Sequence, residues 1–132
     1  MRIRIVIVDD SNLVRERLVK MLDAVQGIEI AGEAANSQDA LRVIKDKKPH
    51  IVIIDIKIPG ESGIEVLKKI KKENKAVIAI IITNYPFTQY RANCFENGAD
   101  YFFDKSNEYG NVVETIEGLV NSGSVEHVVN QW

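Results

Sequence analysis

Five short apolar runs, separated by longer amphipathic segments, are the dominant pattern along this chain. The runs are rich in isoleucine and valine, and they cover residues 3–8, 28–34, 51–54, 77–82 and 101–103. Nearly continuous apolar runs of this length are typical of strands that are buried on both faces of a parallel sheet. The pattern therefore predicts five β-strands.

Apolar residues between these runs recur at helical spacing. After Ser11-Asn12, which offers N-cap chemistry, the first amphipathic stripe contains Val14, Leu18, Met21, Leu22 and Val25. Similar stripes follow the second, third and fifth strands, and a further helix is predicted between the fourth and fifth strands. Strict alternation of strand and helix requires crossover connections, hence a parallel sheet with helices on both faces. The sequence predicts a flavodoxin-like α/β domain: a doubly wound, five-stranded parallel sheet of order 2-1-3-4-5 with about five helices.

Chemically active side chains come directly after four of the five strands. Asp9 and Asp10 follow the first, Asp55 the third, Thr83 the fourth, and Lys105 lies just past the fifth. The carboxyl ends of parallel strands meet at one edge of a sheet, so these residues should line one crevice. Neighbouring carboxylates repel each other unless a cation compensates, and Mg²⁺ is the hard ion that prefers carboxylate oxygens and phosphate. An ammonium and a hydroxyl opposite such an ion suit a phosphoryl group, with Asp55 as the nucleophile.

Net charge, cysteine content and the length of the apolar runs argue against several classes of protein. The net charge of −2 argues against nucleic acid as a direct partner, because nucleic-acid-binding domains are usually clearly basic. A single cysteine excludes an internal disulfide, and it is compatible with a reducing, cytoplasmic setting. The apolar runs are far shorter than the roughly 20 residues of a membrane-spanning helix. We therefore expect a cytoplasmic protein without membrane or nucleic-acid contacts.

Four sequence blocks together resemble the receiver domain of two-component response regulators. They are VDDS at 8–11, IDIKIPG at 54–60, ITN at 82–84 and GADYFFDK at 98–105. The blocks occur in the order and at the spacing of that family, and the likeness runs from the first strand to the last helix. It predicts a receiver domain over residues 1–121, followed by residues 122–132 as a tail, an extra turn of structure or the start of a linker.

The resemblance implies roles for the acidic residues. Asp55 would accept a phosphoryl group from a sensor histidine kinase or a phosphotransfer protein. Asp10 would bind Mg²⁺ directly and Asp9 largely through water, with Asp55 and the backbone carbonyl of Lys57 as further ligands. The protein would catalyse only its own phosphorylation and its slow dephosphorylation, so it would not count as an enzyme.

The resemblance also implies a switch and a docking surface. Thr83 and Lys105 would contact the phosphoryl oxygens, and Phe102 would turn inward when Thr83 moves towards the phosphate. This change would reshape the face formed by the fourth helix, fifth strand and fifth helix. That face would then bind an unidentified downstream protein or a second copy, giving a phosphorylation-dependent dimer. Leu13 and Val14, early on the first helix, would dock the kinase or phosphotransfer protein.

Three positions depart from the usual pattern of the family. Ser106 follows Lys105 where proline is common, so we expect a trans peptide and a more mobile loop. Asn84 is larger than the residue usual after the threonine and would narrow access to Asp55. Lys57 and Tyr85 flank the path of hydrolytic water, and their bulk and charge are expected to slow loss of the phosphoryl group.

Alternative interpretations remain open at this point. The chain is either a stand-alone receiver or a fragment of a longer transcriptional regulator, with Ser122 onward as the linker. A haloacid-dehalogenase-type phosphatase also forms an aspartyl phosphate, but it would use Asp9, after the first strand, as the nucleophile. A degenerate receiver that serves as a scaffold is a further alternative, although every phosphorylation residue is present.

Overall fold

The five predicted strands form one parallel sheet in the order β2-β1-β3-β4-β5. This computed structural model describes residues 2–85 and 87–132. The strands are β1 Ile3–Val8, β2 Ile28–Ala34, β3 Ile51–Ile54, β4 Ile78–Thr83 and β5 Tyr101–Asp104. The sheet confirms the predicted doubly wound, flavodoxin-like fold. The fourth strand begins and ends one residue later than predicted.

Five α-helices connect the strands and cover both faces of the sheet. They are α1 Asn12–Leu22, α2 Ser37–Lys47, α3 Gly63–Glu73, α4 Thr88–Glu96 and α5 Tyr109–Ser122. Helix α1 packs beside α5 on one face, and α2, α3 and α4 lie side by side on the other. The side chains of Ser11, Asn36 and Ser62 accept the backbone N–H three residues on, which caps α1, α2 and α3.

Helix α1 ends earlier than its apolar stripe suggests. The stripe extends to Val25, but the helix stops at Leu22 and the chain tightens into a turn in which Val25 N–H donates to Leu22 O. Val25 is nevertheless buried against the core. An apolar stripe reports which side chains are buried, and a tight turn after a helix satisfies the same requirement.

The core is centred on β1, β3 and β4, the inner strands of the sheet. Every residue of β3 is fully buried, as are residues 5–8 and 79–83 of its two neighbours. Because helices cover both faces, both sets of side chains on these strands face apolar surroundings. This explains why their sequences are continuously apolar instead of alternating.

The C-terminal tail is folded onto the domain. Residues Glu126–Gln131 form a 3-10 helix, and Val125 and Val128 are fully buried. Asn74, at the end of α3, donates from Nδ2 to Val128 O at 3.1 Å, and Trp132 donates from Nε1 to Pro49 O at 2.9 Å. The tail therefore contains a helical turn, and its part as the start of a linker stays a prediction. Within the residues described, no helix has the length and apolar character needed to cross a membrane.

Candidate functional site

The pairing of β1 with β3 brings Asp9 and Asp55 together at the carboxyl edge of the sheet. Val8 is in register with Ile54, and Asp55 N–H donates to Val8 O at 2.9 Å. The residue that follows each paired strand end therefore faces the same crevice. Asp10 joins them, and one carboxylate oxygen from each of the three residues lies within 4.8 Å of the others. The predicted acidic cluster is thus formed.

The acidic cluster fits a divalent metal ion. Asp9 is fully buried and Asp55 is 4% exposed, whereas Asp10 is open to solvent. Asp9 Oδ1 accepts the backbone N–H of Ser11 at 2.9 Å, but Asp9 Oδ2 is buried and has no aligned hydrogen-bond donor among the described residues. Three neighbouring carboxylates, one of them open to solvent, form the oxygen-rich donor set that suits Mg²⁺.

Lys105 lies opposite the carboxylates and is itself buried. Its Nζ is 2.8 Å from Asp55 Oδ2, to which it donates a hydrogen bond, and 2.6 Å from Asp9 Oδ2, with which it forms an ion pair. Burial alone would lower the pKa of Lys105, but its hydrogen bond to Asp55 and its attraction to Asp55 and Asp9 raise the pKa above the ordinary value. The ammonium is therefore charged at neutral pH.

Asp55 is held by its backbone surroundings. Burial raises the pKa of its carboxyl group, against the lowering effect of the Lys105 hydrogen bond and charge, and repulsion by Asp9 adds to the rise. Lys57 N–H donates to Asp55 Oδ1 at 3.4 Å. Gly63, the first residue of α3, packs so closely that a Cβ there would lie 2.0 Å from the Asp55 carbonyl oxygen. Only glycine allows this approach of helix to strand end.

Thr83 ends β4 at the same edge of the sheet. It is fully buried, and Lys105 N–H donates to its carbonyl oxygen at 2.9 Å, which fixes the spacing between the ends of β4 and β5. Its Oγ1 accepts the backbone N–H of Tyr85 at 3.0 Å. The hydroxyl hydrogen remains available for an acceptor placed in the crevice.

The ring of Phe102 faces inward in this structure. The residue is only 5% exposed, and its ring centroid lies 6.5 Å from that of Phe95 on α4. The guanidinium carbon of Arg91, also on α4, is 5.5 Å from the Phe102 centroid. Tyr101 and Phe103 alternate with Phe102 along β5, and their rings stack on each other with centroids 6.3 Å apart. Phe102 is thus placed where β5 meets α4, and its role as a switch stays a prediction.

The two residues predicted for partner docking differ in exposure. Leu13 is 78% exposed at the start of α1, beside a surface groove that Glu16, Arg17 and Lys20 also line. Val14 is half-buried and packs against the core. Leu13 is therefore the accessible member of the pair, and the docking role of both residues stays a prediction.

The loop between β5 and α5 is fixed by hydrogen bonds. Every described peptide bond is trans, in line with the absence of proline after Lys105. Asp104 Oδ1 accepts the N–H and the hydroxyl of Ser106 at 2.9 Å and 2.8 Å, and Glu108 Oε1 accepts Asp104 N–H at 2.9 Å. The side chains of Asp104 and Glu108 thus supply restraints on a loop that lacks the usual proline.

Two residues near the site were not singled out from the sequence. Arg15 donates from Nη1 to the carbonyl oxygen of Asp9, and its Nε is 3.1 Å from Glu33 Oε1. Tyr109, the first residue of α5, is 7% exposed and carries the Arg17 guanidinium 4.2 Å from its ring centroid. Arg15 lies off the apolar stripe of α1, yet its side chain is only 14% exposed. Its contact with β1, however, depends on how the helix docks on the sheet.

A family model described as the response regulator receiver domain matches residues 5–117 of the chain. This match covers most of β1, the other four strands and most of α5. The chain belongs to the response regulator receiver family. The acidic cluster, Thr83 and Lys105 of this receiver domain all lie within the matched residues.

Curated relatives show the same kinship in longer proteins. The receiver domain is 33% identical over 121 residues to a protein-glutamate methylesterase/protein-glutamine glutaminase of Treponema denticola, covering 89% of this chain and 32% of the relative. It is 26% identical over 114 residues to the response regulator GacA of Pseudomonas aeruginosa, covering 86% of this chain and 53% of that protein. The chain thus spans about a third to a half of the length of these two relatives.

Solved structures confirm the fold of the receiver domain. A LuxR-family two-component response regulator from Aurantimonas sp. SI85-9A1 superposes with a TM-score of 0.84 at 30% identity, covering 92% of this chain and 87% of that one. The response regulator domain of Thermotoga maritima CheB gives a TM-score of 0.81 at 24% identity, covering 94% and 97%.

Proposed function

We propose that this receiver domain is a Mg²⁺-dependent switch that accepts a phosphoryl group on Asp55. The observation that carries the proposal is the pairing of the buried Asp55 carboxylate with the Lys105 ammonium at 2.8 Å, beside an acidic cluster that fits a divalent ion. Family membership supports phosphorylation as the switching event. The donor would be a phosphohistidine on a sensor kinase or a phosphotransfer protein.

Asp9, Asp10, Asp55 and the carbonyl oxygen of Lys57 would hold the metal. When bound there, Mg²⁺ supplies positive charge that offsets the repulsion between the carboxylates and the phosphoryl oxygens. Asp9 Oδ2, which is paired with the Lys105 ammonium at 2.6 Å in this structure, would face the metal once that ammonium turns to the phosphoryl group. Arg15 and the Ser11 N–H hold Asp9 in place.

The transfer itself is a displacement at phosphorus. An oxygen of Asp55 attacks the phosphorus atom, the new P–O bond forms, and the P–N bond to the donor imidazole breaks with its electron pair passing to that ring. Lys105 releases Asp55 Oδ2 and turns its ammonium to a phosphoryl oxygen. Thr83 directs its hydroxyl hydrogen to another. These residues position and stabilise charge, and they take no part in covalent chemistry.

The switch would pass from Thr83 to the face formed by α4, β5 and α5. Movement of the Thr83 hydroxyl changes the space beside Phe102, and the inward ring is the packing that the phosphorylated state would favour. This is a population shift between two packings that the new charge biases. The altered face would bind an unidentified downstream protein or a second copy, while Leu13 and Val14 would dock the phosphodonor.

The proposed setting is the cytoplasm, with no direct contact to nucleic acid or membrane. We propose a phosphoacceptor whose only catalysis is its own phosphorylation and slow dephosphorylation. Both a stand-alone regulator and the receiver part of a longer regulator are consistent with this role. The relatives that extend beyond the matched segment make the second form a concrete alternative.

The decisive experiment is incubation with Mg²⁺ and acetyl phosphate followed by intact-mass measurement. Wild type should gain one phosphoryl group, Asp55→Asn should gain none, and removal of Mg²⁺ with a chelator should prevent the adduct. Asp46→Asn, a change of the same chemistry on the exposed face of α2, serves as the matched control and should behave like wild type. Turnover of a small phosphate ester that depends on Asp9 and not on Asp55 would instead favour the phosphatase interpretation.

A further inference from the structure

A groove on the surface lies between α2 and α3, and the C-terminal tail contributes one of its walls. Its volume is about 260 Å³. The apolar part consists of the buried Ile44 and Ile70 and the half-buried Leu41 and Trp132. The remaining lining residues are all charged and exposed, namely Lys45, Lys69, Lys72 and Glu73.

Trp132 is fixed in the wall of this groove. Its Nε1 donates to Pro49 O at 2.9 Å, at the amino edge of the sheet. The tail before it is anchored by the buried Val128 and by the Asn74 bond to the carbonyl oxygen of that residue. The receiver family match ends at residue 117, so this wall is built by a segment outside the matched region.

The size of the groove limits what it can hold. Sites for small molecules usually measure roughly 300–1,000 Å³, so about 260 Å³ is below that range. The space suits one or two apolar side chains that project from a larger molecule. Such anchor side chains, spaced along one face of a helix, are the usual way in which a peptide occupies an apolar groove.

The charge around the groove selects the partner. Segments 45–48 and 68–75 together hold eight lysines and two acidic residues, in a chain with a net charge of −2. Lys69 is paired with Glu61 at 2.6 Å, but Lys45 and Lys72 form no ion pair within the described part of the chain. An occupant with carboxylates beside its apolar anchors would therefore meet unpaired ammonium groups.

We propose that this groove binds an acidic amphipathic helical segment of a partner protein. Its apolar side chains would contact Ile44, Ile70 and Trp132, and its flanking carboxylates would face Lys45 and Lys72. The site lies towards the amino edge of the sheet, away from Asp55, and the proposal does not depend on phosphorylation. It assigns a function to the tail and to its tryptophan.

The chain contains a single tryptophan, so Trp132 fluorescence reports directly on the groove. The probe is a capped peptide with leucine at helix positions i, i+3, i+4 and i+7 and glutamate at the flanking positions. Titration into the 132-residue protein should shift Trp132 emission to shorter wavelength in a saturable manner, with a Kd of about 1–100 μM for a small, transient interface. A peptide with lysine in place of glutamate should bind at least about tenfold more weakly.

Two charge reversals distinguish binding at the groove from non-specific attraction of the peptide to positive charge elsewhere on the protein. Lys72→Glu should weaken binding of the acidic peptide about five- to tenfold, because it replaces an attraction by a repulsion. Lys20→Glu makes the same change on the exposed face of α1 and should leave the Kd within about twofold of wild type. Leu41→Gln, at a half-buried position, should weaken binding of both peptides. Urea unfolding of each variant shows whether its fold is intact.

Four outcomes would overturn the proposal. They are the absence of a saturable shift, equal binding of the two peptides, equal weakening by Lys72→Glu and Lys20→Glu, and a shift that appears on raising protein concentration without peptide. The last result would assign the groove to a second copy of the chain. Binding of decanoate as tightly as the acidic peptide would point to a lipid and would count against a peptide partner in the same way.

Discussion

The buried polar groups at the two edges of the sheet differ in charge and in their hydrogen-bond partners. At the carboxyl edge, Asp9, Asp55 and Lys105 are buried charges, and the one ammonium is shared between two carboxylates. At the amino edge, buried groups are neutral and bind the main chain: Asn74 holds Val128 O, and His50 Nδ1 accepts Arg4 N–H at 2.9 Å. The carboxyl edge therefore has more buried negative charge than its one ammonium neutralises, whereas the buried polar groups named at the amino edge are uncharged.

The difference separates function from stability. Buried like charges lower stability, and they are tolerated where a ligand will compensate them. Neutral groups that are hydrogen-bonded to the backbone do not lower stability in this way. The polar groups of the amino edge can therefore be buried against the core without a compensating ligand. The exception there is His50 Nε2, which is buried without a partner among the described residues. Substitutions at the two edges should therefore have different signatures.

The largest effect is expected at Lys105. Lys105→Met removes the one cation that is paired with Asp9 and Asp55 in the described part of the chain, so the free energy of unfolding without metal should fall by about 3 kcal/mol. Mg²⁺ should then stabilise the variant more than wild type, because it replaces the missing charge. Urea unfolding with and without Mg²⁺ measures both the loss of stability and the stabilisation by the metal. Lys20→Met, an exposed control, should change stability by less than about 0.5 kcal/mol. Equal stability of Lys105→Met and wild type would contradict the comparison.

The tail should matter for stability and not for chemistry. Val128→Ala removes two methyl groups from a fully buried site and should cost about 2 kcal/mol. Val129→Ala, at a half-buried neighbouring position, should cost clearly less. Phosphorylation by acetyl phosphate should proceed at the wild-type rate in both variants. A slower phosphorylation in Val128→Ala would mean that the two edges are coupled.

His50 should give the amino edge a pH dependence. Burial lowers the pKa of His50 below its ordinary value, the positive charge of Arg4 lowers it further, and Glu126 partly opposes this. Below the unfolded pKa of about 6.5, the unfolded chain then binds protons more readily than the folded protein, so stability falls as pH drops, by up to about 1.4 kcal/mol per pH unit. His50→Asn should lose less stability between neutral pH and pH about 5, as measured by urea unfolding. If the stability of wild type and of His50→Asn changed equally with pH, His50 would not be the source of the pH dependence.

The smallest effect concerns the surroundings of the proposed phosphorylation site. Lys57 Nζ lies 5.4 Å from the Tyr85 ring centroid and 5.5 Å from that of Tyr90, so the three side chains are grouped together, and the Lys57 N–H contacts Asp55 Oδ1. Exposed cation–π contacts contribute about 0.5–1 kcal/mol, which corresponds to about a two- to fivefold change in rate. Lys57→Asn and Tyr85→Glu should shorten the lifetime of the phosphoryl group by that factor. The decay of the intact-mass adduct measures it, and unchanged lifetimes would dismiss the idea.

The residues of the carboxyl edge could be predicted from sequence because their placement is topological. Any residue directly after a strand of a parallel sheet lies at the same edge, so Asp9, Asp55 and Thr83 needed no knowledge of side-chain packing. The apolar runs also determined the strand number, and alternation with helices determined the parallel arrangement. Helix ends were less certain, as Val25 shows, because burial and helical hydrogen bonding are separate requirements.

The amino edge could not be predicted in this way. His50 and Trp132 belong to no local pattern, and their partners lie 46 and 83 residues away along the chain. The contact of Arg15 with the Asp9 carbonyl oxygen likewise depends on the angle at which α1 docks. The sequence by itself determined the fold class and the chemistry at the strand ends, because both follow from period and order. Only the tertiary structure decided how the tail closes the core and forms a basic-rimmed groove, because those contacts depend on the relative placement of elements that are distant in sequence.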